Sequence, residues 1–239
     1  MATVIVADVH ANLAAFEAVL RHAKAQGPVE AIWCLGDIVG YGAEPGECID
    51  LLRGYEHLMI AGNHDLAATG AIGIDYFNAT AREAALWTSQ HLRDSDREFL
   101  QALPLTVTSG EFTLVHGSLI DPVWDYLVTP SVAADHFELQ ETPYCLVGHS
   151  HLPIVFHAGN SWTEWLEDGE RVELKGGKLV ANPGSVGQPR DGDWRAAYAL
   201  LTDDALTFHR VEYKVARTQA KMQEAGLPAA LIERLAHGR

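Results

Sequence analysis

"TVIVADVH", residues 3–10, is a short apolar, β-branched run that stops on an aspartate and a histidine. Thr, Val and Ile suit a pleated, half-buried surface, and the run has the length of a strand rather than of a helix. The next segment, "LAAFEAVLRHAKAQ" (13–26), places apolar residues at helical spacing and is closed by Gly27 and Pro28. "EAIWCLGD" (30–37) reads as a second strand, "PGECIDLLRG" (45–54) as a short helix and "HLMIAGN" (57–63) as a third strand. Strand, helix, strand, helix, strand predicts a parallel sheet joined by crossover helices, and therefore an α/β fold.

Further along, "NATAREAALWTSQHLRDSDREFLQAL" (78–103) predicts two helices divided near Asp94. The texture then changes to strands joined by Gly-rich turns: "LTVTSG", "EFTLVHG", "YCLVGHSH", "PIVFHAG", "KLVANPG" and "RAAYALL". "AGNSWTEWLEDGERVELKGG" (158–177) is expected to form an exposed hairpin, with Trp162 and Trp165 packing either on the core or on a second copy in a homo-oligomer. The tail, 214–239, predicts two helices broken at Gly226 and Pro228. With no linker, repeat or low-complexity stretch, residues 1–239 are read as one domain.

Composition narrows the function. Of 239 residues 48% are hydrophobic and 21% charged, as in ordinary globular proteins, and the formal net charge is −15 with no Lys/Arg-rich run. Nucleic acid and anionic membrane are not expected as partners, since both are gripped through basic footprints. No stretch approaches the ~18 apolar residues that span a bilayer, and the start of the chain has no secretory pattern. Three cysteines, two of them in apolar strand-like runs, suggest buried thiols and a reducing, cytoplasmic setting.

The polar residues then fall in a pattern. Apolar strands end in Asp8 and His10, in Asp37, in Asn63 and His64, in His116, and in His149 and His151. Ligands of open α/β sheets bind at the carboxyl ends of parallel strands. One such ending would carry little weight, because Asp and Asn often cap the helix that follows. Five endings rich in metal-capable residues point to a common site. Carboxylates, imidazoles and one amide oxygen suit borderline divalent ions such as Mn, Fe, Ni, Co or Zn, and no cysteine joins the set. Seven ligands are too many for one four-coordinate ion, but they fit two ions if one carboxylate bridges, an arrangement used in phosphoryl transfer. Two cations would also let an acidic protein accept an anionic substrate.

The ordered series "DVH", "GD", "GNHD", "H" and "GHSH", extended by "NPGSVG" (182–187), resembles the calcineurin-like metallophosphoesterase superfamily, with the smaller bacterial and archaeal phosphodiesterases as the nearest likeness. The resemblance implies an αββα four-layer sandwich, two mixed β-sheets flanked by helices. It implies that Asp8, His10 and His151 hold one metal, that Asn63, His116 and His149 hold the other, and that Asp37 bridges them. Two divalent ions are implied, manganese favoured, with a hydroxide between them as nucleophile and His64 as general acid. The implied reaction is hydrolysis of a small phosphate ester, a phosphodiester first and a phosphomonoester or nucleotide second, with a catalytically silent scaffold as the alternative from another class.

Departures from the pattern matter. "GDIVGYG" (36–42) has Gly40 and Tyr41 where the superfamily's protein phosphatases carry an Asp-Arg pair, which argues against a protein phosphatase. Tyr41 is open between lining the site and packing on its own loop. Asp65 is expected to cap a helix at least as readily as to act in the site. Arg190 is a candidate for phosphate contact, since guanidinium pairs with phosphate bidentately, but a local ion pair with Asp191 or Asp193 is the favoured expectation.

Overall fold

The computed structural model describes residues 2–160 and 162–239. Its first half follows the predicted alternation: β1 (Ala2–Val6), α1 (Leu13–Gln26), β2 (Val29–Cys34), α2 (Pro45–Arg53), β3 (His57–Met59) and α3 (Asn63–Thr69). α4 (Ala79–His91) and α5 (Asp94–Gln101) follow, divided where expected. The second half runs β4 (Thr106–Ser109), β5 (Phe112–Val115), α6 (Pro130–Leu139), β6 (Tyr144–Leu146), β7 (Pro153–His157), β8 (Glu164–Trp165), β9 (Arg171–Glu173), β10 (Leu179–Pro183), β11 (Ala196–Leu201) and β12 (Ala205–Val211). α7 (Val215–Glu224) and α8 (Ala229–Arg234) close the chain.

These strands form two six-stranded mixed sheets, ordered β3-β2-β1-β11-β12-β9 and β4-β5-β6-β10-β7-β8. β1, β2 and β3 are parallel neighbours in the first sheet, and β5, β6 and β10 in the second. Strand alternation builds the layers. Ile5 and Ala7 share a buried cluster with Leu114, Leu146, Val155 and Ala181 of the other sheet, so the central core lies between the sheets. Val4 and Val6 face the opposite way, against Phe16, Val19 and Leu20 of α1, which covers the first sheet. Cys145, Phe156 and Val180 face Ala133 of α6 across the second sheet. Helix, sheet, sheet, helix is thus the layer order, as the resemblance implies.

Local chemistry starts and stops these elements. The Asn12 side chain accepts the Ala15 N–H and caps α1, and Gly27 ends it. α6, which the sequence reading passed over, is capped by Thr129 with Pro130 in its first turn, a recognisable start signal. β12 was also passed over. Its buried Leu206 and Phe208 join the inter-sheet core.

The segment 158–177 is not a hairpin. β8 pairs with β7 in the second sheet, whereas β9 pairs with β12 in the first, so the two strands expected to pair with each other instead tie the sheets together. Ser161 lies outside the described residues. Trp162 and Trp165 are 53% and 56% exposed and do not enter the core. Cys34, Cys48 and Cys145 are free and buried. Among the described residues no helix is long and apolar enough to cross a membrane.

Candidate metal centre

All six parallel strands end on one side of the molecule, where the loops after them converge. Asp8 and His10 follow β1, Asp37 follows β2, and Asn63 and His64 open α3 directly after β3. From the second sheet come His116 after β5, His149 and His151 after β6, and Arg190 beyond β10. Every one of the seven expected metal ligands is buried here, together with His64.

They fall into two main groups, around Asp8, His10 and His151 and around Asp37, His116 and His149, and a third set of His10, Asp37 and His64 links them. In the first, His10 Nε2 and His151 Nε2 lie 3.2 Å apart, with Asp8 Oδ1 3.3 Å from His151 Nε2 and 3.9 Å from His10 Nε2. His10 Nδ1 donates to Val39 O at 3.1 Å and His151 Nδ1 donates to Gln188 O. A carbonyl only accepts, so both rings carry their proton on Nδ1 and turn Nε2 lone pairs toward each other. Asp8 Oδ1 is buried without a hydrogen-bond partner, while Oδ2 accepts the His149 N–H at 3.1 Å. Two lone pairs and a carboxylate oxygen aimed at one point form a cradle for a cation.

In the second group, His116 Nε2 lies 3.5 Å from Asp37 Oδ2 and 3.2 Å from Asn63 Oδ1, and its Nδ1 donates to Leu35 O at 2.7 Å. His149 offers a further nitrogen within 4.8 Å of the Asp37 and His116 ligand atoms, and its Nε2 is buried and unpartnered. Asp37 Oδ2 is also 3.8 Å from His10 Nε2, so this one oxygen reaches from the second group to His10 of the first.

The electrostatics fit the same description. Burial pushes Asp8 up to about 7 and depresses His64 to about 4 and His149 to about 3. Burial also lowers His10 and His151 well below the ordinary histidine range, which leaves them neutral, the form that binds metal. His116 behaves differently: burial opposes its charge, but attraction to Asp37 outweighs burial and raises it to about 9. Burial likewise opposes charge on Asp37, and the facing His116 and His64 outweigh it and hold Asp37 below the usual carboxylate range. The space between Asp37 Oδ2 and Asn63 Oδ1 therefore favours positive charge. The donor set of oxygens and imidazole nitrogens, with orphaned buried atoms among them, fits divalent metal ions.

Backbone strain is concentrated at the same place. Asp8, His10, Asp37, His149 and His151, five of the seven expected ligands, adopt φ between +49° and +64°, as do Ala11 and Tyr41. Such conformations cost roughly 1–3 kcal/mol each and persist only where the surroundings enforce them. Gly62 does not share this strain: its φ of −98° and ψ of 173° suit any residue. It is glycine because a Cβ would sit 2.1 Å from Asp37 Oδ1.

The open residues take definite places. Asp65 does cap α3, not from the N-cap position, which is Gly62, but from the third helical position, reaching back to the Gly62 N–H. It lies in the first turn of α3, where its carboxylate accepts N–H groups from Gly62 at 3.0 Å, Asp37 at 2.7 Å and Val39 at 3.2 Å. It positions the Asp37 loop. Tyr41 lines the site, its ring 4.3 Å from that of His64 and 4.7 Å from that of His10. Arg190 does not pair with Asp191 or Asp193, which bind Arg210 and Arg195. It faces a cleft over Asp37, Asn63, His64, His149 and His151. Its Nη2 donates to Gln188 Oε1 at 3.0 Å, and its Nε is buried without a partner. The cleft is also lined by Tyr76, Phe77, Trp124 and Tyr126, none of which the sequence reading singled out. Their density in two turn-rich segments was the available signal.

Comparison with known proteins shows the family and agrees with the fold. Residues 1–205 match the calcineurin-like phosphoesterase superfamily domain. The chain is similar to a metallophosphoesterase from Sphaerobacter thermophilus whose crystal structure covers 100% of this chain and 99% of its own, at 45% identity and a TM-score of 0.92. An uncharacterized protein of Methanocaldococcus jannaschii is 38% identical over 98% of this chain and 97% of its own length. A symmetrical bis(5'-nucleosyl)-tetraphosphatase of Glaesserella parasuis is 26% identical over 72% of this chain, which spans 63% of that enzyme.

Proposed function

The chain belongs to the calcineurin-like phosphoesterase superfamily and is a hydrolase of phosphate esters, and from that premise we propose that it cleaves phosphodiesters with two divalent cations and His64 as general acid. The observation that carries the proposal is the place of Asp37 Oδ2, 3.8 Å from His10 Nε2 of one group and 3.5 Å from His116 Nε2 of the other. Asp8, His10 and His151 would hold one ion, Asn63, His116 and His149 the other, and Asp37 both. Manganese is the favoured metal. Bound there, the cations would lower the pKa of water and neutralise charge on the phosphoryl oxygens.

The chain's own residues do the rest. Asp8 and Asp37 are each tethered by a backbone N–H at one oxygen, which leaves the other fixed in direction. Arg190, whose Nε no protein group satisfies, would pair with a phosphoryl oxygen. His64, with a buried and unpartnered Nδ1 at the floor of the cleft, would protonate the departing oxygen once the negative charge of a bound phosphate offsets the burial that holds its pKa near 4. Such a residue typically contributes about 10²–10⁴-fold. Three buried free thiols suit a cytoplasmic setting.

A second reading, a phosphatase acting on nucleotides, is favoured by the similarity to an enzyme named as a nucleosyl tetraphosphatase. The test is a metal-stripped sample resupplied with Mn²⁺ and offered bis-p-nitrophenyl phosphate beside p-nitrophenyl phosphate. Faster diester turnover that depends on added metal supports the proposal. Full activity in the stripped protein sinks the metal reading, and a preference for the monoester favours the second one.

A further inference from the structure

The aromatic wall of the cleft has no part in the chemistry described above. From His64 outward the rings form a continuous run, with Phe77 4.8 Å from His64, Trp124 5.4 Å from Phe77 and Tyr76 5.6 Å from Trp124, centroid to centroid. Phe77 is buried, whereas Tyr76 is 86% exposed at the mouth. Single exposed apolar side chains are ordinary. A bare tyrosine tilted 48° against a tryptophan, on a path that begins at the proton donor, is a surface shaped for a flat ring.

The wall is held in place before any ligand arrives. Asp121 Oδ1 accepts the N–H groups of Val123 and Trp124 at 3.0 and 3.1 Å, and Ser118 Oγ donates to Asp125 Oδ2 at 2.6 Å. The loop that carries Trp124 is therefore braced on itself, which lowers the entropy cost of binding against it.

We infer that this run of rings seats the leaving group, and that the substrate is a phosphodiester whose departing alcohol belongs to a nucleoside. Nucleotides are the phosphate esters in which a flat ring is joined to phosphorus through a short polar spacer, and aromatic side chains stack on any base. The inference rests on the proposed role of His64, which marks the side of phosphorus from which the alcohol leaves. Water supplies a hydroxyl to phosphorus, the bond from phosphorus to the nucleoside oxygen breaks with its electron pair on oxygen, and His64 gives that oxygen a proton. The proton released by water restores His64.

Calorimetric titration of the full chain loaded with Mn²⁺ tests the ring site by binding alone. AMP is expected to bind about tenfold more tightly than ribose 5-phosphate, and Tyr76→Ala and Trp124→Leu are expected to bring the two within about twofold. Tyr76 is so exposed that its loss leaves the fold intact. Equal affinities in the unaltered protein, or a preference that survives both substitutions, would overturn the inference. Hydrolysis of bis-p-nitrophenyl phosphate judges the phosphodiesterase reading separately. An AMP preference without diester hydrolysis therefore fails that reading and not the ring site.

Discussion

The backbone N–H of His64 donates to Asp37 Oδ1 at 2.8 Å, so the imidazole under the cleft mouth and the carboxylate between the two ligand groups are held in register by one bond. Because this bond uses the main chain of His64 and not its ring, the two side chains can be altered one at a time.

Asp37→Asn keeps an oxygen for that bond but removes the charge. Metal content measured by elemental analysis is expected to fall, with activity reduced by about 10²-fold or more. His64→Asn is expected to keep its metal and lose about 10²–10⁴-fold in kcat. Loss of metal in the His64 variant would contradict its assignment outside the ligand set.

Gly62→Ala tests the close approach. A Cβ there would meet Asp37 Oδ1 at 2.1 Å and the Asp37 N at 2.5 Å, neither of which can move without disturbing both ligand groups. Urea unfolding should show a loss of about 1–3 kcal/mol, with diester hydrolysis lost as well. A fully active Gly62→Ala protein would mean that the backbone there is looser than this packing implies.

Arg190→Lys keeps a positive charge but gives up the planar fork. kcat/KM is expected to fall by about 10–100-fold, as for loss of a charge-assisted bidentate contact, while metal content stays unchanged. A matching fall in metal content would place Arg190 in the metal cradle instead.

His136 offers a pH test away from the centre. Burial lowers its pKa from 6.5 to about 4, against the weaker upward pull of Asp125. Its Nδ1 accepts the Leu119 N–H at 3.2 Å, so the fold holds the neutral ring. The unfolded chain binds the proton more readily between these values. The stability from the neutral ring is therefore complete above pH 6.5 and is lost as pH falls toward 4. His136→Gln is expected to flatten the urea-unfolding profile over that window relative to the unaltered protein. Parallel profiles would refute it.

The parts legible in the sequence are those with a local signature. Asp8, Asp37 and His116 each follow a short apolar run that only a buried strand explains, and Gly27 and Pro28 stop α1 where composition says they should. Long-range partnerships were not legible. "AGNSWTEWLEDGERVELKGG" has the alternation of a hairpin, and nothing within it says that Glu164–Trp165 and Arg171–Glu173 join different sheets. Arg190 sits beside two aspartates in sequence, yet both are claimed by Arg210 and Arg195 from neighbouring strands and loops. Trp124 and Tyr76 meet only because two loops 48 residues apart fold against each other.

The expected ligands all sit in the turns just after strands or in the first turn of α3, whereas Tyr76 and Trp124 sit farther out, in residues 70–78 and 117–129, between regular elements. On the proposed roles, cutting and choosing are carried by separable parts. The sheet ends can stay constant while those two loops lengthen, shorten or change sequence, since no ion depends on the tips that carry the rings. A graft of both loops onto another member of the superfamily should transfer what is selected and leave how it is cleaved to the host.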